Sequence, residues 1–383
     1  MSGAAERLCA LQVLRAMAAG VVIFSHAQDT YITKVADAWL ALSSFALGDL
    51  GVKLFFCISG FMIFNAGARM KPGLRSMAEF AWRRVVRVVP LYWAVTLVYA
   101  TKLIWQGDPP TAGEWTQSLS FIAYDAYVIR PILGVGWTLN FEMFFYAVFG
   151  LSLFLSSQNL RALCVAACFG GMFILQWLGI TTPFGFPPAS YLFLLTNICL
   201  AYFLFGMLLG WARPRCMGLI RAAGLSAAAA LALAAGVLCA YLALVFLVPL
   251  LGWMPWWAEW SEPLVASVVM LVVAACLLEN VDSGRPAGKG FRLLQLAGDA
   301  SYSSYLTHGF VMGPAARLIV LLGASVPVGM FSLAMLLACT TVGVMVHRAF
   351  EKPLLNRFST PPWLALPAGP VFQAPRRSSS SGR

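Results

Sequence analysis

The sequence predicts an all-α polytopic membrane protein with about ten transmembrane helices and both termini cytoplasmic. Three observations predict it. The composition is 60% hydrophobic and 11% charged, with a mean hydropathy of +0.80, against about 25% charged residues in a soluble domain. Apolar runs of bilayer length recur along the chain. Finally, Lys and Arg fall on one side of those runs. The net charge of +11 could be read as a nucleic-acid footprint. Its distribution assigns it to membrane orientation, and no nucleic-acid partner is expected.

Ten candidate spans follow, at roughly 8–28, 50–68, 86–104, 137–156, 160–179, 190–211, 221–250, 263–279, 301–322 and 328–349. The first resembles a secretory signal, but Arg15 interrupts it and no clear cleavage site follows, so it is read as retained. The seventh is long for one crossing and allows an interfacial or kinked portion near Pro249 and Pro255. The eighth is short. With the amino terminus inside, the inner loops collect Arg69, Lys71, Arg75, Arg83, Arg84, Arg87, Arg161, Arg213, Arg215, Arg221, Arg285, Lys289 and Arg292. The outer loops hold little beyond Lys34 and Arg130. The outer loop 105–136 carries Trp105, Trp115 and Tyr124, and WMPWWAEW at 253–260 reads as an interfacial aromatic belt. The tail 359–383, rich in Pro, Ser and Arg, is expected to be disordered and cytoplasmic.

The nine cysteines are scattered through apolar runs without a C-x-x-C pair and read as small buried hydrophobes. The three histidines, His26, His308 and His347, have no metal-ligand spacing, so no metal is expected.

Four stretches carry polar residues where hydrocarbon makes them costly. In LCALQVLRAMAAGVVIFSHAQD (8–29), Arg15 and His26 are separated by about 1100° of helical rotation, close to three full turns, and by about 16 Å of rise. They share a face at two depths, as a pathway into the membrane requires. Separately, each has a structural reading, as an interhelical hydrogen-bonder or a partner for a loop carboxylate. In AWRRVVRVVPLYW (81–93), Arg83, Arg84 and Arg87 sit at the inner start of a span. They read either as snorkelling anchors or as an anion site. In GVGWTLNFEMFFYAVFG (134–150), Glu142 lies about 8 Å below Trp137 and is expected at His26's depth, where a carboxylate would orient an imidazole. The alternative is that it neutralises Lys53 or Arg130. In GDASYSSYLTHGF (298–310), Ser301, Tyr305 and His308 share one helical face, for chemistry or for packing. HRAFEKPLLNRF (347–358) reads as a charged cytoplasmic cap. Ser59-Gly60 permits close helix approach; Ser59 lacks a G-x-S-x-G context and is not read as a nucleophile.

Taken together, these stretches resemble the membrane-bound acyltransferase 3 family, and most nearly its exopolysaccharide-modifying O-acyltransferases. The resemblance rests on Arg15-x10-His26, GVKLFFCISGF, Arg84-x-x-Arg87 followed by PLYW, WTLNFEMFFY, SYSSYLTH and FEKPLLNRF. They run in order over one transmembrane domain, 8–358. It implies a multi-pass protein of the bacterial inner membrane that transfers an acyl group, expected to be acetyl, from a cytosolic acyl-CoA to a hydroxyl. The acceptor would be an exported polysaccharide or its lipid-linked precursor. His26 is implied as the catalytic residue, with Arg15, Arg84, Arg87 and Glu142 as site residues. No cofactor is expected to be bound permanently; acyl-CoA is a substrate. The bilayer, a carbohydrate acceptor and polysaccharide-assembly machinery are the expected partners. Lys53 stands where many members carry an acid. Joined to the depth argument, Arg84 and Arg87 would hold the donor phosphates, the pantetheine arm would pass Arg15, and His26 would act as general base oriented by Glu142, with a transient acyl carrier as the alternative role. Ser59, Tyr305 and His308 are further candidates lining the site. The competing reading, a transporter or flippase of a polysaccharide precursor, predicts paired halves with broken helices, and none is visible in the sequence.

Overall fold

A computed structural model describes residues 9–35, 41–122, 131–178, 199–222, 289–324 and 326–362. The expected spans at 221–250 and 263–279, the belt at 253–260, Arg130 and the tail beyond 362 lie outside these residues, except for the first two residues of the 221–250 span. Every regular element among the described residues is helical. The order is α1 (Cys9–Val35), α2 (Ala41–Gly67), α3 (Leu74–Trp105), α4 (Ala112–Ser120), α5 (Trp137–Ser152), α6 (Gln158–Trp177), α7 (Cys199–Ala222), α8 (Lys289–Asp299), α9 (Ser301–Leu321) and α10 (Val328–Val346). A π-helical turn at His347–Glu351 leads into α11 (Lys352–Phe358). Three stretches among the described residues are long and apolar enough to cross a membrane: Gly48–Gly67, Leu74–Trp105 and Val328–Phe358.

The bundle buries several charged and polar groups beside its apolar core and leaves large apolar side chains exposed, the inverse of a water-facing surface. Leu97, Val98, Leu333, Leu337 and Met345 are exposed, whereas Arg15, Lys53, Ser303, His308 and Glu351 are buried. Hydrocarbon as solvent favours this inversion, because a charged side chain facing lipid costs several kcal/mol and one facing its neighbours costs less.

α2 is the element against which the others register. A Cβ on Gly60 would lie 2.1 Å from the Phe203 carbonyl oxygen, and one on Gly206 would lie 2.0 Å from that of Cys57. Only glycine lets α2 and α7 approach so closely, which supplies the packing that lipid does not drive. On the other side α2 runs antiparallel to α1, with Gly48 against Ser25 and Gly51 against Ala18 and Val22. This register gives a depth scale for the site.

Several segments depart from the sequence reading. The segment after α3 contains a short helix, α4, started by a capping box. The Glu114 amide bonds Thr111 Oγ1 at 3.3 Å, and the Thr111 amide bonds Glu114 Oε2 at 2.7 Å. The T-x-x-E signature was present in the sequence. Arg161, expected as a solvated inner charge, is buried. It donates from Nη1 to the Gly67 carbonyl at 2.6 Å and from Nε to that of Leu155 at 2.9 Å, closing the carboxyl end of α2. Within the HRAFEK stretch, Arg348 and Lys352 are exposed, but His347 and Glu351 are buried in the π turn. Among the cysteines, Cys57, Cys199 and Cys339 are buried thiols as expected, whereas Cys164 lies on the exterior.

Candidate active site

Inside the bundle lies a partly open cavity walled by α1, α2, α3, α5 and α9. Its lining from α2 runs from Val52 to Ile63, a helical rise of about 16 Å. Since Gly48 packs on Ser25, the Val52 end lies about 6 Å in depth from the level of His26. The cavity therefore points along α1 from the level of Arg15 toward His26.

The charged wall comes from two helices. Arg84 and Arg87, three residues apart on α3, present one face to the cavity, and Arg15 joins them from α1. Arg83, expected on the same side, instead points outward and pairs with Glu79 at 2.5 Å. The Arg84 guanidinium lies over the rings of Phe80, at 5.4 Å, and Tyr146, at 5.6 Å. Its Nε is buried without a hydrogen-bond partner among the described residues. Arg15 Nη1 donates to Gln12 Oε1 at 3.3 Å. None of the three arginines closes an ion pair among the described residues, although Arg15 lies within electrostatic reach of Arg87, Glu351, Glu142 and Asp299. Three guanidiniums against one lining carboxylate, Glu142, make the cavity electropositive.

Glu142 accepts hydrogen bonds from Ser59 Oγ at 3.3 Å and from the Tyr146 hydroxyl. Ser59 lies about 16 Å along α2 from Gly48, so Glu142 sits at the depth of Arg15 and not, as the sequence suggested, at that of His26. The reason is the approach to α5. Trp137 does not mark the outer surface, because the chain reaches it through buried Ile132 and Leu133 and a 3-10 turn at Gly134–Gly136, which packs on Tyr92. Counting down from Trp137 thus starts too high. Lys53 is likewise not Glu142's partner; it pairs with Asp49 on its own helix and lies over Tyr202.

His26 does not line the cavity; its neighbour is another imidazole. The rings of His26 and His308 lie 5.1 Å apart, tilted by 37°. The His308 ring is in turn 6.1 Å from that of Tyr305, whose hydroxyl contacts Thr138 Oγ1 and donates to the Val135 carbonyl, both at 3.1 Å. Tyr305 lines the cavity, as does Phe55, whose ring packs edge-on against it at 6.1 Å. Tyr305 and His308 thus form the wall between cavity and His26.

Residues missed by sequence reasoning complete the site. Tyr146 lies one turn from Glu142, a signal available in the spacing. Tyr302 lines the cavity and donates to the Val88 carbonyl at 2.7 Å, close to Pro90 in α3. Below it, Glu351 accepts from Ser303 Oγ at 2.6 Å and lies 2.8 Å from His347 Nδ1, both at the same oxygen. This is not a nucleophile's triad, because the carboxylate rather than the histidine stands in the middle. Among the described residues no three His, Cys, Asp or Glu side chains cluster to hold a metal.

A family described as an acyltransferase domain matches residues 10–347. Among curated proteins, the exopolysaccharide production protein ExoZ of Rhizobium meliloti (strain 1021) is 31% identical over 321 residues, covering 82% of this chain and 91% of that protein. No solved structure matches.

Proposed function

The chain belongs to the acyltransferase 3 family, and from that premise we propose that it is an integral-membrane O-acyltransferase of exopolysaccharide production. It moves an acyl group, acetyl in this reading, from a cytosolic acyl-CoA to a hydroxyl of an exported polysaccharide or its lipid-linked precursor. The observation that carries the reading is the Arg84 Nε, buried without a hydrogen-bond partner among the described residues, beside Arg87 and Arg15 in a cavity with one lining carboxylate, Glu142. Guanidiniums that outnumber the lining carboxylates three to one are costly in such surroundings unless an anion completes them, and phosphate fits their forked geometry. A coenzyme A thioester supplies such phosphates at one end and a long apolar arm at the other.

In this reading ten spans hold both termini in the cytoplasm, so the arginine end of the cavity faces the cytosol. Arg84 and Arg87 bind the donor phosphates, and Arg15 steadies the arm. The arm extends past Val52 and Phe55, where the cavity ends about one helical turn short of His26. His26 then acts as general base from the outer side. The acceptor oxygen attacks the thioester carbonyl while His26 takes its proton. The C–O bond forms, the C–S bond breaks, and the proton passes to the leaving thiolate, giving the ester and free coenzyme A thiol. Glu142, fixed by Ser59 and Tyr146, serves the guanidinium end in this scheme.

The test is thiol release by the purified chain in lipid nanodiscs given acetyl-CoA and polysaccharide fragments. Acceptor-dependent release, lost in His26→Ala with coenzyme A binding retained, is expected. A protein that binds no coenzyme A, or that turns over fully without His26, overturns the reading; a transporter would release no thiol.

A further inference from the structure

The proposed base needs an orienter, and Glu142 lies about 16 Å away in depth. We infer that His308 is the positioning residue for His26, holding the plane of its ring and choosing which of its nitrogens carries the proton. The inference rests on the reading of His26 as the base and goes beyond it.

Three contacts fix His308. Its Nδ1 lies 2.6 Å from the Tyr305 carbonyl oxygen. A carbonyl only accepts, so Nδ1 carries the hydrogen in the neutral ring and Nε2 keeps its lone pair. Tyr305 is itself anchored through its hydroxyl on α5. From the far side, Cys339 Sγ of α10 contacts the His308 carbonyl at 3.7 Å. The His308 ring is buried and lies against His26, with centroids 5.1 Å apart.

A fixed ring whose acceptor nitrogen has no hydrogen-bond partner among the described residues, lying beside a second imidazole, selects that imidazole's tautomer. The N–H of His26 is drawn to His308, which leaves its other nitrogen unprotonated for the acceptor hydroxyl. When His26 takes that proton, His308 Nε2 receives a hydrogen bond from an imidazolium. The arrangement matches the base and orienter of acyl-transfer sites, with a neutral ring in place of the carboxylate. A neutral orienter suits hydrocarbon, where an extra buried carboxylate would cost several kcal/mol. Because Tyr305 belongs to both the cavity wall and the His308 anchor, donor site and base share one rigid column.

The experiment compares three variants of the full chain in nanodiscs. His308→Leu removes both polar nitrogens. His308→Asn can still bond the Tyr305 carbonyl but falls short of His26. His308→Gln carries an amide oxygen that reaches the Nε2 position. The expected result is a fall in kcat of about 10- to 100-fold for Leu and Asn, the range for residues that orient a functional imidazole. Donor KM and coenzyme A affinity stay within about twofold, and Gln restores most of kcat. Wild-type kcat in His308→Leu overturns the inference. So does equal recovery by Asn and Gln, which would mark His308 as a structural anchor, or a matching loss of coenzyme A binding in all three. If His26→Ala itself keeps full turnover, the base assignment has failed instead.

Discussion

Arg84→Ala separates a ligand-binding guanidinium from a structural one. In most buried sites, removing an arginine breaks intramolecular bonds, so affinity and stability fall together. Here the Nε is buried with no hydrogen-bond partner among the described residues, and no ion pair is closed. What the folded protein loses is the contact with the Phe80 and Tyr146 rings, on the order of 0.5–1 kcal/mol each. Against that stands relief of an unpaired charge in an apolar bundle, worth at least as much. Stability is therefore expected to change by less than about 1 kcal/mol in either direction. Donor binding loses a charge-assisted bond to phosphate of about 1.5–3 kcal/mol, a weakening of roughly 10- to 150-fold. The assay is calorimetric titration of coenzyme A into nanodisc-embedded protein, with thermal unfolding measured on the same samples. An unchanged Kd, or a Kd that falls only as the protein unfolds, would refute the assignment of Arg84 to the donor.

Glu142→Gln distinguishes the depth expected from sequence from the depth observed. A carboxylate serving the guanidiniums should alter the Kd for coenzyme A, whereas one serving His26 should leave Kd intact and cut kcat; titration beside steady-state kinetics reads both. Gly206→Leu forces side-chain atoms into the Cys57 carbonyl, which a Cβ would meet at 2.0 Å, so size-exclusion profiles should show no monodisperse protein. Gly170→Leu, whose Cβ meets nothing within 4 Å, is the matched control and should purify normally. Arg161→Ala removes two charge-assisted bonds to the Gly67 and Leu155 carbonyls, a loss of about 3–5 kcal/mol of stability read by thermal unfolding. Coenzyme A affinity below the transition should not move.

How much of this was legible in the sequence depended on whether the signal was local. Helix-length apolar runs gave α2, α3, α9 and α10 to within several residues at most ends, though α2 and α3 begin well before the expected spans, because burial in lipid demands backbone bonds within each segment. The arginines were legible for the same reason: a guanidinium in an apolar run stands out in one dimension. The sequence left Arg84-x-x-Arg87 open between anchors and an anion site, and the structure places both beside Arg15 in one cavity. What failed were inferences about depth and partnership between helices. Glu142 was misplaced because a buried 3-10 entry to α5 has no distinctive pattern. Ser303 and Glu351 stand 48 positions apart, and nothing in either neighbourhood announces the other. Arg161 read as a loop charge because one of the two carbonyls it satisfies, that of Gly67, ends a helix 94 residues earlier.

The depth scale of α2 also explains why the site needs two polar clusters rather than one. Ser59 and Glu142 stand level with the arginines, and Gly48 stands level with the residue preceding His26. Between them α2 offers the cavity only apolar side chains, Val52, Phe55 and Phe56 among them. A ligand with charge at both ends would be rejected by this middle section, since ionised groups in such surroundings cost several kcal/mol. A ligand charged at one end and neutral along its arm is accepted. In the proposed reading the geometry suits a phosphate-bearing thioester and not a small free anion, which would satisfy the arginines but never reach the imidazoles. Acetyl phosphate, carrying the same acyl group without the arm, is therefore expected to bind weakly and to give no acceptor-dependent transfer. Transfer from acetyl phosphate at the acetyl-CoA rate would refute the account of the cavity as a measured reach from arginine to histidine.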